Sequence, residues 1–456
     1  ITRCGTGIRM RAIIIGAGDV GFQLASRLSQ QGEEIVVVDL DQEKVDRVED
    51  HLDVIALQGS GVDFRILEKA GIAMSDTLIA VSDNDEVNIL ACQTALRYNI
   101  QHKVARVGGE YYYGDSPMAQ RGLLGVDVLV NPEEACAREI QNLLNLAAAT
   151  EVVEFAKGEV VLVGLKIGSR FLYRDTPLHR IASEFEKHNF LVTAISRGEQ
   201  TIIPGGDDVI REGDLLYVIG KRDDTGEMLA LAGFENRKLQ RVMLAGGTPV
   251  AVRLAGLLEA SGATPVIFEA DRNRCAQLAE QLSASLVLNG DATDLDLLQS
   301  EGVDGVDGFV ALTEDDENNM ISCLVAKNLG AVKAIAQIKR LEYLTLATRI
   351  GVDAVVSPHL ATVNAILAAT HSERLLALAT LRGMSVQIME VSVREGLPYV
   401  GKPLKDLSLP PGCIIGSVVR SGATLIPHGD DHLEPGDKVV VFTQDRQAKK
   451  VSRYFL

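Results

Sequence analysis

Six residues near the start of the chain have the types and spacing for one chemistry. Gly16-Ala17-Gly18-Asp19-Val20-Gly21 is a G-x-G-x-x-G turn, and Asp39 lies eighteen residues after Gly21. In such a set Gly16 makes a tight turn, Gly18 lets a pyrophosphate approach the backbone, and Gly21 lets helix pack on strand. The helix that follows offers unpaired N–H groups and a positive dipole end to phosphate oxygens. An acid at Asp39 is placed to accept from ribose hydroxyls. The reading is nucleotide binding, and its bland competitor is a glycine turn made for packing alone.

The flanking elements favour the binding reading. Ile13-Ile14-Ile15 is a β-branched run that reads as a buried strand. Phe22 to Leu28 reads as the start of a helix, and Ile35 to Val38 as a second strand ending at Asp39. A strand before the turn, a helix after it and an acid ending the next strand are the context the motif requires.

Self-similarity sets the architecture. Arg11-Ala12-Ile13-Ile14-Ile15-Gly16 aligns with Arg241-Val242-Met243-Leu244-Ala245-Gly246, and Val36-Val37-Val38-Asp39 with Val266-Ile267-Phe268-Glu269. Gly59-Ser60-Gly61 aligns with Gly290-Asp291-Ala292, and Ser82-Asp83-Asn84-Asp85 with Thr313-Glu314-Asp315-Asp316. Cys92 and Cys323 fall at one offset. The halves are tandem copies about 230 residues apart.

Each half divides again. Strand, turn and helix alternate through residues 10–132, which predicts an α/β doubly wound parallel sheet of Rossmann type. Strands are expected at Ala12–Ile15, Ile35–Asp39, Val54–Gln58, Leu78–Val81, Lys103–Val107 and Val128–Val130. A connecting helix is expected over 133–149, then a small strand-rich α+β module over 150–233 with one helix near Leu178–His188. The second half repeats this as a Rossmann-like fold over 239–358, a connecting helix over 359–381 and a small module over 385–456. The connecting helices follow the sixth strand, so they could cross between lobes or onto a partner subunit.

The fourth strand ends at Val81, and Ser82 and Asp83 then line the sheet's switch point, where ligands bind. Ser82 and Thr313 also read as helix N-caps, with Asp85 and Asp316 as capping-box acids. Arg106 ends the fifth strand and could neutralise a phosphate; Gln337 replaces it in the second copy. That copy has Gly246-Gly247-Thr248-Pro249-Val250-Ala251 as its turn. Thr248 places a Cβ where a pyrophosphate would approach, and Pro249 removes a donor. Glu269 keeps the ribose acid, so the second fold is expected to have a weakened phosphate grip.

Composition excludes several classes. The chain has 456 residues, 46% apolar and 23% charged, with a net charge of −17, a soluble globular profile of about three or four domains. The negative charge argues against nucleic-acid binding and against docking on anionic lipid. No run reaches the roughly 18–20 apolar residues that cross a bilayer; Leu360 to Leu381 is interrupted by Asn364, His371, Glu373 and Arg374. Ile1 to Arg9 has no apolar core like that of a signal peptide, and Met10 is the expected start.

Cys4, Cys92, Cys136, Cys275, Cys323 and Cys413 make no metal-clip spacing and read as buried reduced thiols. The eight histidines form no evident catalytic constellation and read as surface residues. No Walker lysine motif, HExxH or G-x-S-x-G is present. The set binds without evident catalysis.

Tandem nucleotide folds, each followed by a small module with Ile203-Pro204-Gly205-Gly206-Asp207 or its degenerate copy, resemble the TrkA family. Glu212-Gly213-Asp214-Leu215-Leu216-Tyr217-Val218-Ile219-Gly220 adds to the likeness, which spans residues 10–456. These are the peripheral RCK-domain (regulator of conductance of K⁺) subunits of bacterial Trk potassium-uptake systems. The resemblance implies N–C–N–C RCK architecture and no enzymatic activity. It also implies a cytoplasmic homotetrameric ring, peripheral on the inner face of the plasma membrane, beneath an integral membrane potassium channel or transporter subunit of TrkH/TrkG type. NAD(H) and ATP or ADP would compete for the first fold and gate the pore. The family's contacts fall on Gly16, Gly18, Asp19, Val20, Gly21, Asp39, Ser82 and Arg106. Ser60 departs from the acid that many such domains, and Asp291 in the second copy, carry there. The alternatives are an NAD-dependent oxidoreductase with an unrecognised substrate site, and a scaffold with vestigial folds.

Overall fold

The computed structural model describes residues 10–30, 32–98, 100–113, 125–146, 148–155, 158–168, 171–184, 190–198, 200–233, 239–370, 375–380, 386–444 and 447–455. The expectations for Ile1–Arg9, His188 and His371 lie outside them. The chain divides into two compact units. One holds Ile1–Cys136 with Ser357–Thr370, the other Ala137–Val356 with His371–Leu456.

The first unit opens with β1 (Arg11–Ile15), α1 (Asp19–Gln30), β2 (Glu34–Asp39), α2 (Gln42–His51) and β3 (Ile55–Gln58). It continues with α3 (Phe64–Lys69), β4 (Thr77–Ala80), α4 (Asp85–Ala95), β5 (His102–Arg106), β6 (Val128–Val130) and the start of α5 (Pro132–Asn145). The strands pair in parallel in the order β3-β2-β1-β4-β5-β6. Ile13, Ile14 and Ile15 are buried because helices cover both faces of the sheet. The order reverses between β1 and β4, which puts the carboxyl ends of those strands at the crevice.

The second unit carries α5 from Ala137 onward and the first small module. That module is β7 (Ala149–Phe155), β8 (Val160–Lys166), α6 (Leu178–Glu184), β9 (Phe190–Arg197), β10 (Gln200–Ile202), β11 (Leu215–Lys221) and α7 (Thr225–Leu231). The second parallel fold follows: β12 (Arg241–Ala245), α8 (Pro249–Ala260), β13 (Thr264–Glu269), α9 (Arg272–Gln281), β14 (Leu286–Asn289) and α10 (Leu295–Ser300). Then come β15 (Gly308–Ala311), α11 (Asp316–Asn328), β16 (Ala334–Gln337), α12 (Leu341–Ile350) and β17 (Ala354–Val356). Its order, β14-β13-β12-β15-β16-β17, repeats the first.

After α13 (Pro358–Thr370) the chain forms β18 (Leu375–Thr380), β19 (Val386–Ser392), β20 (Cys413–Arg420), β21 (Ala423–Leu425), β22 (Lys438–Gln444) and α14 (Ala448–Phe455). The small modules are antiparallel sheets that share one apolar core, in which Phe155, Tyr217 and Ile219 meet Ile388, Val440 and Phe442.

Two boundaries differ from the sequence reading. The helix expected over 359–381 stops at Thr370, and Leu375–Thr380 is a strand paired antiparallel with β19. Leu375-Leu376-Ala377-Leu378-Ala379 favours helix by propensity, but the backbone bonds offered by β19 outweigh that preference. The small module therefore begins before residue 385. Likewise the helix expected over 133–149 ends at Asn145, and β7 starts at Ala149 against β8.

The connecting helices exchange places. α13 follows β17 in sequence yet belongs to the first unit, where Val363, Ile366 and Leu367 pack with Val20, Leu24 and Leu28. Those α1 positions recur every four residues, which makes one apolar stripe. α5 from Ala137 onward belongs to the unit of the second fold, and Gln141 donates to the Leu257 carbonyl of α8. Lys333, buried, donates through Nζ to the carbonyls of Leu143, Leu146 and Ala149 at the end of α5. Burial pushes its ammonium down to about 7, against a smaller raising effect of Asp353.

Candidate functional site

The carboxyl edge of the first sheet gathers the residues expected to bind. Gly16 has φ +103°, and its N–H donates to the Val38 carbonyl at 2.8 Å. A Cβ there would lie 2.8 Å from the Ser82 nitrogen, so the turn sits directly against the end of β4. A Cβ on Gly21 would collide with the Gly16 carbonyl. One on Gly18 would meet nothing within 4 Å, so this backbone borders open space. Asp19 and Val20 begin α1 beside it, where the first-turn N–H groups have no intrahelical acceptors.

Asp39 reaches back to the turn. Its Oδ2 accepts from the Ala17 N–H at 2.6 Å and its Oδ1 from the Asp41 N–H at 2.9 Å. The carboxylate thus fixes the glycine turn to the β2–α2 turn and keeps lone pairs for a further donor. Ser60 follows β3, and its Oγ accepts from the Val62 N–H at 3.4 Å. Gly59 is tied by its N–H to the Asp39 carbonyl at 2.8 Å.

The β4 wall is built differently from the expected cap. Asn84, not Ser82, caps α4 by accepting from the Val87 N–H at 2.7 Å. Ser82 is instead held by Asn88, whose Oδ1 accepts from the Ser82 N–H at 2.9 Å and from its Oγ at 2.7 Å. Asn88 Nδ2 donates to the carbonyls of Ser82 at 2.9 Å and Arg106 at 2.8 Å. The fully buried amide thereby joins the ends of β4 and β5. Asp85 is no capping-box acid: it accepts from the N–H groups of Gly108 and Gly109, anchoring the loop after β5. In the second fold Asp315 caps α11, and Asn319 and Asp316 repeat these roles. The signal was present, since Asn88 and Asn319 stand six residues after Ser82 and Thr313.

Val81 is buried, so its backbone is what it can offer a ligand. Asp83 is 85% exposed and pairs with Arg106 at 2.9 Å. Asp19 pairs with Arg47 at 3.2 Å, and its other oxygen lies 3.8 Å from His359 Nδ1 of α13. By its sequence His359 reads as a surface histidine, since nothing in the local pattern around it indicates a helix exchanged across 340 residues of chain.

Glu269 and Asp291 sit at the matching edge of the second fold. Glu269 accepts from the N–H groups of Gly247 at 2.7 Å and Asp271 at 2.8 Å, as Asp39 does in the first. Asp291 accepts from the Thr293 N–H and hydroxyl, each at 2.8 Å. The glycine turn there is closed on itself. Thr248 caps α8 by accepting from the Ala251 N–H at 3.4 Å, Pro249 occupies the first turn, and Arg274 donates to the Gly247 carbonyl at 3.0 Å. Gln337 is buried where Arg106 stands in the first copy, and Glu314 pairs with Lys339. Among the described residues no His/Cys/Asp/Glu group could hold a metal, and no helix is long and apolar enough to cross a membrane.

The TrkA-N domain model matches residues 12–132 and 242–358, and the TrkA-C domain model residues 178–233 and 388–456. The chain is 37% identical over 457 residues to Trk system potassium uptake protein TrkA homolog 1 of Methanosarcina mazei, covering 98% of this chain and all of that protein. It is 34% identical over 451 residues to Trk system potassium uptake protein TrkA of Azorhizobium caulinodans, covering 98% of each. Its fold is similar to the GsuK RCK domain, with a TM-score of 0.57, 18% identity and coverage of 98% of this chain and 95% of that one. It is also similar to a structure described as the GsuK channel bound to NAD, with a TM-score of 0.59, 18% identity and coverage of 98% and 79%. These relatives carry the name of a potassium uptake protein and not of an oxidoreductase. The chain belongs to the family of Trk system potassium uptake proteins TrkA, with two TrkA-N domains of Rossmann type alternating with two TrkA-C domains.

Proposed function

We propose that the first fold binds NAD(H), with ATP and ADP competing for the same place, and that the bound nucleotide gates an integral membrane potassium channel or transporter subunit of TrkH/TrkG type. The observation that carries this reading is the difference between the two glycine turns. The first borders open space at Gly18, whereas the second is capped by Thr248 and Pro249.

In this reading the backbone from Gly16 through Ala17, Gly18, Asp19, Val20 and Gly21 receives the pyrophosphate at the α1 N-terminus. Asp39 takes the ribose hydroxyls while it holds the turn. Val81, Ser82 and Asp83 form the wall across the crevice, Ser60 closes the β3 side, and Arg106 exchanges Asp83 for a phosphate. Glu269 and Asp291 give the second fold a ribose-facing edge with a poorer phosphate grip. That the GsuK channel has been solved with NAD bound supports the choice of ligand.

Gating needs no chemistry at the nucleotide. A ligand shifts a two-state assembly by its differential affinity for the two states. NADH and ATP share an adenosine anchor at Asp39 and differ beyond the second phosphate, so each can favour a different arrangement. The chain then acts as a cytoplasmic homotetramer, peripheral on the inner face of the membrane. Calorimetry of the full chain with NADH and with ADP tests the first step. Saturable binding of both, abolished by Asp39→Ala, is expected; unchanged affinity in the variant contradicts the assignment.

A further inference from the structure

The pairs Asp19–His359 and Arg27–Asn364 run in the same order along α1 and α13, so the two helices lie side by side with their first turns together. The first turn of α1 is where the glycine turn delivers a ligand. The exchanged helix therefore brings a titratable side chain from beyond residue 356 to the edge of the first site.

The local charges give that side chain work to do. Asp19 is a carboxylate in the first turn of α1, which stabilises the helix through its dipole. An arriving pyrophosphate, also anionic, meets it as a like charge. Asp19 Oδ1 is offset by Arg47 of α2 at 3.2 Å, and Oδ2 faces His359 Nδ1 at 3.8 Å. The other charged groups of α1 and β5 have partners of their own or lie at the far end of the strand. Arg27 donates to Asn364, Lys103 of β5 pairs with Asp127, and Arg106 pairs with Asp83; His102 lies at the opposite end of β5 from Arg106, and β6 carries no charge.

We propose that His359 is a positioning residue of the first nucleotide site, which in its protonated form offsets Asp19 and so tightens binding of a pyrophosphate. The inference rests on the reading of the first fold as a nucleotide site. The sign follows from linkage. An added anion stabilises the protonated imidazole, so the bound state takes up a proton and affinity rises as pH falls through the histidine's titration.

The test is NADH binding to the full chain at pH 6 and pH 8, followed by fluorescence, since the NADH pyrophosphate does not itself titrate in that range. The wild type is expected to weaken by roughly two- to fivefold from pH 6 to pH 8, the scale of a half-exposed ion pair. His359→Gln is expected to flatten that dependence and to bind at pH 6 as the wild type does at pH 8. Asp19→Asn should flatten it too, and bind more tightly than the wild type at pH 8. Asn364→Ala, which disturbs the same helix pair without touching the imidazole, should keep the wild-type profile. A His359→Gln profile as steep as the wild type overturns the role of His359. Failure of the wild type to bind NADH at either pH instead overturns the nucleotide reading beneath it.

Discussion

Asp39 accepts a hydrogen bond from the Ala17 N–H at 2.6 Å, and Glu269 does the same for Gly247 at 2.7 Å. The acid that ends the second strand is therefore part of the glycine turn in both folds. Asp39→Ala is expected to lower NADH affinity at least tenfold, because it would remove both the proposed ribose acceptor and the clamp that shapes the turn. Asp39→Glu, which mimics the second copy, should retain measurable binding. Titration calorimetry separates the two.

Gly18 and Gly21 are predicted to fail in different ways. Gly18 faces open space, so Gly18→Val should fold with a melting temperature near that of the wild type while binding no NADH. Gly21 abuts the Gly16 carbonyl, so Gly21→Val must displace the turn and should lower the melting temperature as well. Thermal unfolding alongside NADH titration reads both effects. Equal destabilisation by the two substitutions would contradict the open space at Gly18.

Asn88 makes four hydrogen bonds from a fully buried position. Asn88→Ala leaves the Ser82 N–H and the Arg106 carbonyl without this partner and is expected to cost about 2–4 kcal/mol. Asn319→Ala should cost a similar amount in the second fold. Denaturant unfolding of the two variants measures both.

The alternation of strand and helix and the β-branched runs made both parallel sheets legible, since each strand buried on two faces is apolar throughout. The glycine turn and Asp39 were legible for the same reason: their roles are local. Ser82 was misread as a helix cap, because Asn84 and Asp315 offer the same cap two residues later and Asn88 claims the serine across a turn of helix. The strand at Leu375–Thr380 was missed because its residues prefer helix until β19 supplies a partner. His359 lay beyond local reasoning, since its neighbour Asp19 is reached through an exchange of helices.

Lys333 gives a prediction with a pH signature. Lys333→Met takes the Nζ donor from the carbonyls of Leu143, Leu146 and Ala149, of which Leu146 keeps the Ala149 N–H, and is expected to destabilise the fold by about 2–4 kcal/mol at pH 10, where the lysine is neutral. With its pKa lowered by burial to about 7 from 10.5, the unfolded chain holds the extra proton between those values. This group therefore makes stability rise as pH rises from 7 to 10.5, and its burial penalty is fully present below 7. Lys333→Met should remove that rise, as unfolding at pH 7 and pH 10 would record.

A nucleotide at Gly18 is proposed to control a potassium pathway. The most direct test is potassium flux through the membrane partner that co-purifies with this chain, reconstituted in vesicles and measured with NADH, with ADP and with neither. Flux that differs between NADH and ADP with the wild type, and that becomes indifferent to both with Gly18→Val, is the predicted result. Flux that is the same with and without nucleotide in the wild type, in a preparation where NADH is bound, would contradict it.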